Sequence, residues 1–154
     1  GVCALFGDEP FLKRLALKEI TRTIVGDDED APVTSVEGSQ AQWRDVRDEL
    51  STASLFTPGP RLVIVDEADK FVSNYRDKLE EYAAGPSSGV LVLIVDQWPG
   101  NTRLAKAVAK QGLAIECRAP QSQRGKTKVI DLGRLAKWLA AWASKTHHIK
   151  LTDT

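Results

Sequence analysis

Two short runs constrain this chain more than anything else in it: Leu62-Val63-Ile64-Val65 and Val90-Leu91-Val92-Leu93-Ile94-Val95. Each is aliphatic, rich in β-branched residues and shorter than a buried helix needs to be, so each reads as a strand covered on both faces. With their flanks they give strands over Leu62 to Asp66 and Val90 to Asp96, and Val2 to Phe6, Val33 to Glu37 and Leu113 to Cys117 read likewise. Segments of helical period alternate with them, which is the signature of a parallel sheet with crossover helices. The fold class is therefore α/β, a five-stranded parallel sheet flanked by helices.

The helices carry their own start and stop signals. Pro10 suits a first helical turn behind a capping Asp8, and Leu12, Leu15, Ala16, Glu19 and Ile20 come after it at a spacing near 3.6. Ser39 can cap a helix with Trp43, Val46 and Leu50 on its inner stripe. Phe71, Tyr75, Leu79 and Tyr82 form a third stripe, which Gly85-Pro86 ends, and Asn101 or Thr102 can cap the segment carrying Leu104, Ala107 and Val108. Trp43 and the Phe71 to Tyr82 stripe are thus expected in the core rather than as stacking platforms for bases.

Beyond the fifth strand the composition changes. An α/β domain over 1–120 is followed by a polar, basic linker over 121–130, and Asp131 then caps an amphipathic helix with Leu135, Trp138, Leu139 and Trp142 within a terminal segment over 131–154. Those tryptophans require cover, from the α/β domain or from a second domain. The chain reads as a piece of something longer.

Charge marks the same boundary. The 154 residues carry 21 basic and 21 acidic side chains, but the first 100 hold 10 against 18 and the remaining 54 hold 11 against 3. Whole-chain charge thus gives no reason to expect a protein that coats nucleic acid or membranes, whereas the asymmetry points to solvated faces or an interaction surface. The two cysteines, Cys3 and Cys117, lie far apart without a C-x-x-C or a nearby histidine, so neither a metal site nor a disulfide framework is indicated and a reducing cytoplasm is expected. No apolar run approaches a bilayer span. His147-His148, being adjacent, point apart, and Asp27-Asp28-Glu29-Asp30 lacks the alternating ligand spacing of a calcium loop, so no metal is expected.

The most conspicuous motif is Val65-Asp66-Glu67 at the end of the third strand, the form of a Walker B motif, in which Asp supports Mg²⁺ and Glu orients the attacking water. That chemistry needs a phosphate cradle after the first strand, G-x-x-x-x-G-K-[ST]. The turn after Phe6 is instead Gly7-Asp8-Glu9-Pro10-Phe11-Leu12-Lys13, with one glycine, two carboxylates and a proline that removes a donor. Gly125-Lys126-Thr127 has Pro120 where the upstream glycine should be and lies beyond the last strand, so it is a chance tripeptide. A Mg-ATP-dependent ATPase using Asp66 and Glu67 stays as one alternative. A phospho-accepting receiver-like domain is another, with Asp8 and Glu9, Asp66 and Arg118 at the sheet's carboxyl edge, although Asp96 stands where a hydroxyl residue is expected.

A quieter feature is Ser54-Leu55-Phe56, in a small polar stretch closed by Pro58-Gly59-Pro60. Adjacent Leu and Phe cannot both turn inward on a regular helix face. They either staple the loop to the domain's own core or stand out as an apolar anchor for a partner's pocket.

Taken in order, Gly7-Asp8-Glu9-Pro10-Phe11-Leu12, Ser54-Leu55-Phe56, Val65-Asp66-Glu67-Ala68-Asp69-Lys70-Phe71 and the Val90 to Val95 strand resemble the delta subunit of bacterial DNA polymerase III, over Val2 to Cys117 and again in the Asp131 to Lys150 helix. The resemblance implies the AAA+ fold without a functional P-loop, in a clamp-loader subunit that binds and opens the sliding clamp during DNA replication, with no cofactor and no catalytic site of its own. It implies Ser54, Leu55 and Phe56 as the clamp-binding element and Asp66 with Glu67 as a degenerate Walker B. The implied partners are the beta sliding clamp, the gamma/tau and delta prime subunits, and DNA only through the assembled loader; membrane binding and homo-oligomers are not implied. Arg118, Arg124, Lys126 and Lys128 become a possible basic contact surface, and 131–154 the start of a lid domain. In the AAA+ strand order the fifth strand neighbours the first, which places Cys3 and Cys117 near each other as free thiols. The complete Asp-Glu pair and the basic stretch from Gln121 to Ile130 depart from the family's usual pattern.

Overall fold

The strands form where the apolar runs lie. In the computed structural model of the chain, β1 (Val2–Phe6), α1 (Pro10–Val25), β2 (Val33–Glu37), α2 (Trp43–Ser51), β3 (Leu62–Asp66), α3 (Asp69–Ala84), β4 (Val90–Val95), α4 (Arg103–Gln111) and β5 (Leu113–Glu116) succeed one another in order. The structure describes residues 1–27, 31–52, 59–87, 89–118, 137, 138, 140 and 141. Ser54, Leu55, Phe56, Arg124, Lys126, Lys128, His147, His148, the linker over 121–130 and most of 131–154 lie outside them.

All four strand pairings are parallel, in the order β2-β3-β4-β1-β5, so the fifth strand does neighbour the first. Alternation sorts the side chains into two layers. Val63, Val65, Leu91, Leu93 and Val95 pack with α2, α3 and α4 through Trp43, Val46, Leu50, Phe71, Leu79, Leu104 and Val108. On the other face Cys3, Leu5, Leu62, Ile64, Val90, Val92 and Ile94 meet Ala16 and Ile20 of α1. Each aliphatic side chain so buried contributes about 1.5–3 kcal/mol, which is why the near-continuous apolar runs occupy the central strands. β2, on the sheet's edge, alternates between exposed and half-buried. Trp43 stacks edge-on against Tyr82 with ring centroids 5.7 Å apart, so the aromatic stripe is core as the sequence indicated.

Several local expectations change. The α1 cap is Glu9, not Asp8: its carboxylate accepts from the Phe11 N–H, because Pro10 occupies the first helical position. Ser39 does not cap α2; its hydroxyl donates to Glu37, and the helix starts only at Trp43. Leu15 is 41% exposed, since the face of α1 centred on Ala16 and Ile20 turns it away from the sheet. Thr102, rather than Asn101, caps α4, accepting from the Ala105 N–H at 3.1 Å. Cys3 pairs with Leu113, whereas Cys117 lies past the Phe6–Glu116 pair, four residues or roughly 13 Å further along. Both thiols are free and buried. Lys137, Trp138, Ala140 and Ala141 are helical, and Trp138 packs against the α1-side core while its indole N–H donates to the Gln111 carbonyl. At least one of the two tryptophans is therefore covered by the α/β domain.

Candidate site at the carboxyl edge of the sheet

Because every strand runs the same way, the turns after β1, β3 and β4 gather at one edge, where open α/β sheets place their ligand sites. The β1–α1 turn is stitched to the end of β5: the Cys117 N–H donates to the Phe6 carbonyl at 2.6 Å and the Glu9 N–H to the Cys117 carbonyl at 3.1 Å. Gly7, at φ +125°, lies so close to this stitch that a Cβ would fall 2.1 Å from the Cys117 oxygen. Part of what a phosphate cradle would offer is engaged inside the chain. Glu9 N–H is on Cys117, Phe11 N–H is on the Glu9 carboxylate, and Pro10 has none. These positions are not free to cradle a phosphate.

Lys13 is the residue that the sequence motifs concealed. It stands six positions after Gly7, the separation of glycine and lysine in G-x-x-x-x-G-K-[ST], with Leu12 and Arg14 in place of the motif's second glycine and hydroxyl residue. The Gly–Lys spacing was the available signal, hidden because Leu12 stands where the motif has its second glycine. Its Nζ lies 3.0 Å from Asp96 Oδ1, just beyond β4.

Two more carboxylates at this edge, Asp66 and Asp69, are also engaged. Asp66 accepts from the Glu67 N–H at 2.8 Å through its side chain and from the Gly38 N–H at 2.7 Å through its carbonyl. Glu67 is exposed and sits at φ +47°, a conformation costing of order 1–2 kcal/mol outside glycine. Asp69, which opens α3, accepts from the N–H groups of Asp96 and Gln97 at 3.0–3.2 Å, and so ties α3 to the end of β4. Among the described residues no group of three His, Cys, Asp or Glu side chains is arranged to hold a metal ion. The receiver layout fails on topology: it requires β1 between β2 and β3, whereas here β4 separates the Asp8–Glu9 turn from Asp66.

Two further regions bear on the sequence-derived sites. The segment carrying Ser54, Leu55 and Phe56 lies outside the described residues, but its stem does not. Arg61, preceding β3, donates to the Thr52 carbonyl at 3.3 Å and to Glu49 Oε1 at 3.2 Å, and Thr34 Oγ1 donates to the same carboxylate oxygen. Arg118 is half-exposed and donates to Glu116 at 2.6 Å; Arg124, Lys126 and Lys128 are outside the described residues. Burial raises the Cys3 thiol to about 12 and the Cys117 thiol to about 11, so neither is a thiolate near neutral pH.

No protein-family model and no curated protein matches this chain. Among solved structures it is similar to the Bacillus subtilis DNA clamp loader delta protein (YqeN), with a TM-score of 0.61 and 21% sequence identity. The match covers 76% of this chain and 38% of that one. The shared feature is the five-stranded parallel α/β fold. No helix among the described residues is long and apolar enough to cross a membrane.

Proposed function

We propose that this chain is the clamp-engaging part of a DNA clamp loader, a delta-type subunit of bacterial DNA polymerase III that binds and opens the beta sliding clamp and hydrolyses no ATP itself. One conjunction carries the reading: a β2-β3-β4-β1-β5 sheet similar to that of a clamp loader delta protein, together with a β1–α1 turn in which the Glu9 and Phe11 N–H groups are engaged within the chain and Pro10 offers none. A fold built for nucleotide, with its cradle closed, fits a subunit that works by contact.

In this reading Ser54, Leu55 and Phe56 form the contact. Burying Leu55 and Phe56 in an apolar pocket would contribute about 3–6 kcal/mol before association costs. The residues on either side of the segment are tied together, Arg61 bonding both Glu49 and the Thr52 carbonyl. The other partners are the gamma/tau and delta prime subunits, with DNA reached only through the assembled loader. Arg118, Arg124, Lys126 and Lys128 supply a basic contact surface, and 131–154 begins a lid domain.

The test is binding of the chain to an immobilised cognate beta clamp. Leu55→Ala with Phe56→Ala is expected to weaken binding at least about 100-fold while leaving the unfolding free energy within about 1 kcal/mol of the parent. Undiminished binding, or a double variant that unfolds, overturns the assignment of these two residues. Calorimetric titration with Mg-ATP is expected to give no heat; binding heat accompanied by phosphate release that disappears in Glu67→Gln would establish the ATPase reading instead.

A further inference from the structure

The carboxyl edge does more than lack a cradle. A triphosphate in a P-loop satisfies two things: the positive N-terminal end of the following helix and the ammonium of the motif lysine. Both are present here, and each already has an anion. At the helix end the Glu9 carboxylate accepts from the Phe11 N–H at 3.0 Å, on the axis where negative charge is favoured. At the lysine, Asp96 Oδ1 lies 3.0 Å from Nζ, joining residues 83 positions apart in sequence.

We propose that Glu9 and Asp96 are built-in stand-ins for phosphate groups, which keep the remnant P-loop satisfied without a nucleotide and exclude other anions from it. The Lys13 side chain is only 13% exposed and that of Asp96 77% exposed, so the aspartate is the solvent-facing member of the pair. Asp96 is held in place from behind, because its N–H donates to both carboxylate oxygens of Asp69. Glu9 is held by its own N–H on the Cys117 carbonyl and by its carbonyl, which accepts from the Lys13 N–H. An incoming anion would have to displace one fixed carboxylate and approach the other. This inference does not depend on the clamp reading: it stands if the chain binds no clamp.

The alternative is that the pair and the cap are an ordinary surface ion pair and an ordinary helix cap with no bearing on anions. Thermal melting with inorganic tripolyphosphate as the probe separates the two. The parent chain is expected to melt at the same temperature with and without millimolar tripolyphosphate. Glu9→Gln with Asp96→Asn, which retains shape and a cap oxygen but removes both charges, is expected to gain about 3 °C or more, a shift that Lys13→Met then abolishes. Circular dichroism of the double variant in the absence of the probe checks that it is folded. Equal stabilisation of the parent overturns the proposal, as does a folded double variant that the probe leaves unmoved. If the double variant is unfolded, Asp96→Asn alone is measured in the same way, and a failure to gain stability counts against the proposal equally.

Discussion

Gly7 is the residue on which the closed turn depends most directly. It has both a positive φ, which side chains resist, and a backbone oxygen where a Cβ would have to go. The backbone atoms it would meet cannot swing aside as a flexible side chain can. Gly7→Ala is therefore expected to destabilise the fold by about 2–4 kcal/mol, combining the conformational cost with a forced backbone shift, and a urea denaturation midpoint unchanged from the parent would contradict this. The glycine was visible in the sequence as the only one in the turn. What it touches was not, because Cys117 lies on the far side of the chain. The same limit explains Lys13 and Asp69: lysine and aspartate at helix starts are common, and only the neighbouring end of β4 turns them into an ion-pair partner and a double acceptor.

At the level of elements, the legible features were those that repeat within a few residues. Strand positions came from aliphatic runs, and only the last residues differ, since Asp96 and Cys117 fall just outside β4 and β5. Capping was less legible, because several residues near a helix start can serve and the backbone chooses among them. Thr102 is the one whose hydroxyl reaches the Ala105 N–H, so Thr102→Ala is expected to cost about 1 kcal/mol in chemical denaturation, whereas Asn101→Ala should be nearly silent. Equal losses at the two positions would show that the cap is shared. Leu15 illustrates the complementary error: its spacing fits an inner stripe, but α1 touches the sheet along a line through Ala16 and Ile20, which leaves Leu15, like Phe11, on the outside.

For the whole molecule, burial sets the response to alkali. The Cys3 and Tyr82 groups are raised to about 12 and the Cys117 thiol to about 11, in each case chiefly by desolvation, against ordinary values of 9.0 for the thiols and 10.0 for the phenol. The folded chain holds these protons where the unfolded chain has released them, so ionisation favours unfolding as pH rises. Stability is expected to be insensitive to these groups below about pH 9 and to decline from there to about pH 12. A thermal midpoint that is flat across that window, or rapid labelling of native thiols near pH 8, would count against this burial.

The sequence by itself determined the α/β class, the five strands, the four helices between them and the absence of a complete phosphate-binding motif, because hydrophobic period, turn residues and motif spacing are local properties. Only the tertiary structure decided that β4 separates β1 from β3, that the ends of β1 and β5 are stitched through Cys117, and that Lys13 meets Asp96. The physical reason is separation along the chain: parallel strands pair across whole crossover units, so which ends become neighbours is settled by how helices pack on both faces of the sheet, and no local pattern records it.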